Sequence, residues 1–397
     1  MDRRPAVETE IEMPAPPSPP SRSRRRFLRT AAATVGTGLT TAVAGCSTRN
    51  LFSEVDVHFR TLAVESPPVG LTTAGVWLVA AGRDGQVVGM DRGDGEAQWE
   101  TDAVDELQVP PVGHDGELYV AGEDVVSVDG AIERWRTPLS GVASALAVVP
   151  ENNVVVAGTE DGHVTGVNGD DSGLVDADDG DRLWETRLTE SGAARVDALA
   201  AGDGVVYAGS RDGVVVAFDA RTGEERWRTD HVASALSSTG SSVLLGRRRV
   251  HSVRDGDGGV EVEWHHDTGN NWTTGIASTA AGPSTSKRAE SPTPTASARW
   301  FLAGTRTGEG GYVLALTSDG ERLWRHQLTG DAVALTPVRN DRFAVGIEGE
   351  RPGVQQFTTD GESAWLFETE TSVVDVVFGG DWVWAVTGSG RVVGLSE

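Results

Sequence analysis

A tryptophan closes the same short sentence again and again along this chain. Trp99, Trp135, Trp184, Trp227, Trp264, Trp324 and Trp365 follow one another at spacings of 36, 49, 43, 37, 60 and 41 residues. The unit is clearest at 204–227, GVVYAGSRDGVVVAFDARTGEERW. Val205, Val206 and Tyr207 make one β-rich run, Arg211-Asp212-Gly213 a tight turn, Val214 to Phe218 a second run, and Asp219 to Gly223 a second turn. A third strand then ends on Trp227. Asp and Gly suit such turns because they tolerate positive φ. A period of about 40–50 residues with short strands and no helical segment is that of a four-stranded propeller blade.

The spacing of 60 contains an insertion, 279–298, rich in Ser, Thr, Ala and Pro and without the apolar residues a core needs. It reads as a disordered loop on blade 6. The eighth mark is missing at the C-terminus, where Trp382 to Glu397 supplies two strands and no closing tryptophan. The run from Val55 to Thr61 resembles the closing strands and carries Phe59 at the tryptophan's place, 40 residues before Trp99. The expectation is an all-β, eight-bladed propeller of four-stranded antiparallel blades over 55–397, its ring closed by the N-terminal strand. Closure removes the sheet edges that would otherwise aggregate. Small-residue runs mark the innermost strands: Ala143 to Val149, Val196 to Ala200, Val232 to Leu236, Ala332 to Thr336 and Val373 to Val377.

The net charge is −25, and of 34 basic residues only Lys287 is a lysine. Acid enrichment with lysine depletion suits a protein kept soluble in molar salt, where the Debye length is about 3 Å. The source is expected to be a halophilic archaeon. Such a surface argues against nucleic-acid binding, which needs a basic footprint. The single cysteine, Cys46, excludes an intrachain disulfide. Ser23 to Arg29, with Arg24 and Arg25, resembles the twin-arginine export signal. The weakly apolar run from Thr30 to Ala44 is too short to span a bilayer. Val43-Ala44-Gly45-Cys46 then resembles a lipobox. The chain therefore divides into a signal peptide (1–45), a tether (46–54) and the propeller. The expected location is the extracellular face of the cell membrane, held by a lipid anchor at Cys46.

Ala217-Phe218-Asp219-Ala220-Arg221-Thr222-Gly223-Glu224-Glu225-Arg226-Trp227 resembles the docking motif of the pyrroloquinoline-quinone (PQQ) type repeat, A-x-D-x-x-T-G-x-x-x-W. Gly89 to Trp99 is similar, Ala315 to Trp324 and Gln356 to Trp365 are one residue shorter, and the units ending at Trp135 and Trp264 are looser. The resemblance implies that the seven tryptophans are structural, docking one blade on the next. The family includes quinoprotein dehydrogenases and non-catalytic binding propellers, such as the lipoprotein of the bacterial outer-membrane β-barrel assembly machine. The dehydrogenases clamp the quinone with a vicinal cysteine pair, which this chain lacks.

Three local features invite chemistry. His265-His266-Asp267 reads as a polar turn after Trp264; adjacent histidines on a strand would face opposite ways, which is poor for chelation. The acidic loop 168–181 holds Asp170, Asp171, Asp176, Asp178 and Asp179, but not at calcium-loop spacing. Arg247-Arg248-Arg249 reads as a turn paired with nearby carboxylates, with docking of an acidic partner as the sharper alternative. No nucleophile–histidine set and no phosphate loop can be placed. The resulting expectation is a monomeric, non-catalytic scaffold without a cofactor, binding a protein partner or a small ligand. The alternatives are a quinoprotein oxidoreductase using PQQ and calcium, and a sensor of an extracellular sugar or peptide.

Overall fold

The computed structural model describes residues 55–169, 179–189, 194–238, 242–256, 259–269, 271–278, 299–305, 310–338 and 342–396. Cys46, Arg24, Arg25, the insertion 279–298 and most of the acidic loop 168–181 lie outside the described residues.

The described chain forms eight four-stranded antiparallel sheets. In chain order the blades span 68–102, 112–138, 143–187, 198–229, 235–267, 272–327, 331–368 and 373–396. Each of the first seven is a meander of four sequential strands. The eighth holds only three of its own, and Asp56–Leu62 supplies the fourth by pairing with Arg391–Ser396. Every innermost strand packs on the innermost strand of the next blade, and the eighth packs on the first, so the ring is closed.

Burial explains why the middle strands do not alternate. Val154–Thr159 and Val205–Ser210 are buried at every position, because each sheet is covered on both faces by its neighbours. The core is thus eight inter-blade layers. One joins Val156 and Val164 of blade 3 to Val206 and Val216 of blade 4. The layer across the closure joins Trp384, Val386 and Val392 to Leu78, Ala80 and Val88.

The innermost strands are the small-residue runs, with two starting later than expected, at Ala198 and Ala235. One strand departs further. Gly259–Asp267 is a nine-residue outermost strand, so His265, His266 and Asp267 are on a strand and not in a turn. The closing strands Ala97–Asp102 and Arg182–Arg187 likewise run three residues past their tryptophan, so these three positions continue the strand.

Candidate functional site

The repeat motif is consumed in building the frame. Asp219 Oδ1 accepts from the Arg221 and Thr222 amides at 3.1 Å, and the Glu224 amide donates to Thr222 Oγ1. The Arg226 guanidinium at 2.8 Å, aided by those amides, holds the Asp219 carboxyl below the usual range. Gly223 follows with φ +71°, and a Cβ there would meet the Trp184 ring at 2.6 Å. The turn of blade 4 therefore lies flat on the tryptophan of blade 3. Trp184 Nε1 completes the joint by donating to Ala220 O at 2.8 Å.

The same joint recurs around the ring. Gly180 covers Trp135, Gly320 covers Trp264, Gly361 covers Trp324, and Gly95 covers Phe59, which stands where the tryptophan is expected. Trp264 and Trp324 donate to Ser318 O and Thr359 O. Trp99, Trp135 and Trp365 are different: their indole N–H groups are buried without a partner. Trp227 packs on Tyr207 of its own blade, with ring centroids 5.7 Å apart. The docking tryptophans are architecture, and function has to be sought in what the frame presents.

Antiparallel strands put the loops between second and third strands, and the connections between blades, on one face of the ring. On this upper face Arg247 and Arg248 form the loop after Ser242–Gly246. Trp272 opens the next blade beside them. The two guanidinium carbons lie 4.6 and 4.7 Å from the centroid of the Trp272 ring. Arg247 also donates to Arg211 O. The loop is pinned by Thr273, whose amide donates to Arg247 O at 2.8 Å and whose hydroxyl donates at 2.9 Å.

Of the arginine run, only Arg249 pairs with a carboxylate, Asp267, at 2.6 Å. Among the described residues Arg247 and Arg248 pair with none, which corrects the reading of the whole run as neutralised. Their neighbours on the same face are matched: Arg211 and Arg195 share Asp197, and Arg195 also meets Glu160 at 2.5 Å. The result is a stacked, uncompensated basic spot on a strongly acidic protein. Trp272 was not legible as its partner, being 24 residues beyond Arg248 with no repeat position to mark it.

Next to this spot is a row of three histidines. His231 meets His251 edge-on at 4.3 Å between centroids, and His265 lies 5.9 Å beyond. His251 and His265 are cross-strand partners, which leaves His266 on the other face. Burial, then the neighbouring His231 and Arg249, push His251 down to about 4. Among the described residues no group of three or more His, Cys, Asp or Glu side chains is arranged to hold a metal ion.

Near the axis, hydroxyls staple several innermost strands to the next blade. Ser144 Oγ donates to Val196 O at 2.7 Å, Thr274 Oγ1 to Ala332 O at 2.7 Å, and the Gly113 amide to Thr72 Oγ1 at 3.1 Å. At the closure the staple is a carboxylate. Asp375 accepts from the Leu71 amide at 2.9 Å and from the Val376 amide at 2.8 Å. Desolvation outweighs these two bonds and pushes its carboxyl up to about 6.

On the lower face a cavity of about 630 Å³ opens between blades 7 and 8. Its walls include Arg342, Gln356, Trp365, Asp381, Trp382 and Ser396.

An eight-bladed β-propeller is the class that these joints and this ring define. Residues 83–175 and 173–273 match the family described as outer membrane protein assembly factor BamB. The chain is 26% identical to outer membrane protein assembly factor BamB of Yersinia pestis over 211 residues, 49% of this chain and 52% of that protein. It is 30% identical to serine/threonine-protein kinase AfsK of Streptomyces griseus over 184 residues, 44% of this chain and 22% of the kinase. It thus spans about half or less of the length of these relatives. The crystal structure of Saccharomyces cerevisiae Sqt1 shares the fold, with a TM-score of 0.68 at 11% identity, covering 87% of this chain and all (100%) of that one.

Proposed function

We propose that this protein is a non-catalytic binding scaffold that holds an acidic protein partner on its upper face, at the outer side of the cytoplasmic membrane, tethered by a lipid on Cys46. The observation that carries the reading is the Arg247–Arg248–Trp272 cluster. Two guanidiniums without carboxylate partners make a local positive spot on a strongly acidic protein, which attracts a carboxylate-rich partner. Stacking on an indole holds their planes fixed, and a pre-organised guanidinium loses less entropy on pairing with a carboxylate. Likeness to an assembly factor supports a protein partner over a small substrate. The twin-arginine signal and lipobox support the location. Two acyl chains would be needed for stable anchoring, since one chain binds a membrane only marginally.

Crosslinking of intact cells, followed by purification of the protein from membranes, tests the proposal. Arg247→Glu with Arg248→Glu is expected to abolish capture of the partner while the thermal transition stays within a few degrees. Equal capture by this variant would contradict the assigned face. Cys46→Ser is expected to release the protein to the medium or block its processing; unchanged membrane retention would contradict the anchor.

A further inference from the structure

At the upper edge of blade 8 the two chain ends bring two arginines together. Leu62 faces Arg391 across the closing pair of strands, and Arg60 faces Val393. Residues two apart on a strand share a face, so Arg60 and Arg391 are diagonal neighbours with Cβ atoms roughly 7 Å apart. Both side chains are exposed. Among the described residues neither pairs with a carboxylate. The Arg60 guanidinium carbon lies 5.1 Å from the centroid of the Phe367 ring of blade 7. This repeats the stacking of Arg247 and Arg248 on Trp272, on the same face of the ring. Elsewhere on that face Arg83, Arg136, Arg195 and Arg211 each meet an Asp or Glu.

A small cleft opens between the two arginines and blade 7, lined also by Phe367, Glu370, Thr387 and Ser389. Its volume of about 40 Å³ admits a carboxylate and excludes a sugar ring or a nucleotide. Thr387 Oγ1 donates to Arg391 O at 3.2 Å and lies 3.1 Å from Ser389 Oγ. Thr387 has only one proton to donate, so the exposed Ser389 hydroxyl keeps one that can turn to a ligand. Two guanidiniums against the single Glu370 leave one net positive charge, which one carboxylate neutralises. A phosphate monoester, with close to two negative charges, overshoots this and is repelled by Glu370. We infer that the upper rim between blades 7 and 8 is a second carboxylate-binding site, taking an Asp or Glu side chain or a C-terminal carboxylate of the acidic protein partner. This rests on the reading of such a partner on the upper face and extends its footprint. A stable interface covers about 800 Å² on each partner, more than one arginine pair supplies. Exposed Glu348 and Glu350 stand at the upper loop of blade 7, so the partner is expected to carry two separate acidic patches.

Fluorescence polarisation with a labelled pentaglutamate peptide, at the lowest salt that preserves the thermal transition, tests this. The unmodified chain is expected to bind the peptide saturably, and Arg247→Gln with Arg248→Gln to leave residual binding. Adding Arg60→Gln and Arg391→Gln to that variant should weaken the residual binding about tenfold. Glu370→Gln, which removes the competing carboxylate, should tighten it. Arg221→Gln with Arg322→Gln, an equal loss of charge at the lower ends of blades 4 and 6, should change it far less. If no binding remains without Arg247 and Arg248, or if the residual binding is unchanged without Arg60 and Arg391, the inference is overturned while the acidic-partner reading stands. No binding by the unmodified chain contradicts both. Displacement of the residual peptide by inorganic phosphate at lower concentration than by acetate would assign the cleft to phosphate and overturn the inference as well.

Discussion

The joint between blades 6 and 7 and the joint between blades 7 and 8 start from the same residue and end differently. Trp324 is roofed by Gly361 and donates to Thr359 O, whereas Trp365 has a cavity and an unpaired N–H. Both tryptophans sit on similar strands, Arg322–Gln327 and Ser363–Glu368, in the same register with the third strand of their blade. The difference lies in the covalent chain. One joint receives a continuous turn, and the other receives two chain ends. Closing a ring with a terminal strand removes the sheet edge and leaves Trp365 without a turn above it, but a continuous turn does not guarantee a partner, since Trp99 keeps an unpaired N–H although blade 2 turns at Asp129–Ile132.

This comparison can be broken in several ways, the largest effect first. Removing Asp56–Leu62 exposes the edge of Arg391–Ser396 and uncovers the closure core, so loss of cooperative thermal unfolding and aggregation are expected. Light scattering with calorimetry would show whether blade 8 survives as three strands. Next, Trp365→Ala should cost about 3–5 kcal/mol, and Trp324→Ala measurably less, because Trp365 is fully buried whereas Trp324 is half-buried. Denaturant titrations of the two variants side by side would reveal equal losses if the joints were equivalent. Gly361→Ala is a third test: φ is +89° there and a Cβ would meet the Trp324 ring at 2.7 Å, so about 1–3 kcal/mol should be lost. The corresponding experiment has no counterpart at Trp365.

The smallest effect concerns pH. The Asp375 carboxyl is raised to about 6 in the folded chain. The folded state therefore holds this proton more tightly than the unfolded state does, and the contribution to stability is full below about pH 4 and lost as pH rises through about 6. His251 works in the opposite direction. Its depressed value, about 4, makes its contribution full above about pH 6.5 and lost as pH falls toward 4. Asp375→Asn keeps an oxygen for the Leu71 amide and removes the charge. It should raise the melting temperature at pH 8 by a few degrees and leave the His251 slope alone. A melting profile that falls at pH 8 would show that the charge at the closure is favourable.

Much of the frame was legible because it is written in residue types with one physical use. Tryptophans at blade spacing, glycines at turns and Phe59 at the tryptophan's place left little choice of register. The cavity beside Trp365 arises from packing between blades 7 and 8, which no local spacing encodes. Asp375 was hidden in a small-residue run where any polar side chain looks alike. The partnership of Trp272 with Arg247 and Arg248 arises from packing between blades, which no local spacing encodes. His265 and His266 were misplaced into a turn although closing strands run on past their tryptophan, as Ala97–Asp102 and Arg182–Arg187 do.

The account rests on the pairing of the two chain ends in one sheet. Leu62 and Arg391 face each other at the exposed end of that pairing. Cysteines at these two positions, with Cys46 replaced by serine, should form an intrachain disulfide under mild oxidation. The crosslinked chain should remain monomeric and melt several degrees higher than its reduced form. Failure to crosslink in the folded protein, or crosslinking only between chains, would contradict the closed ring.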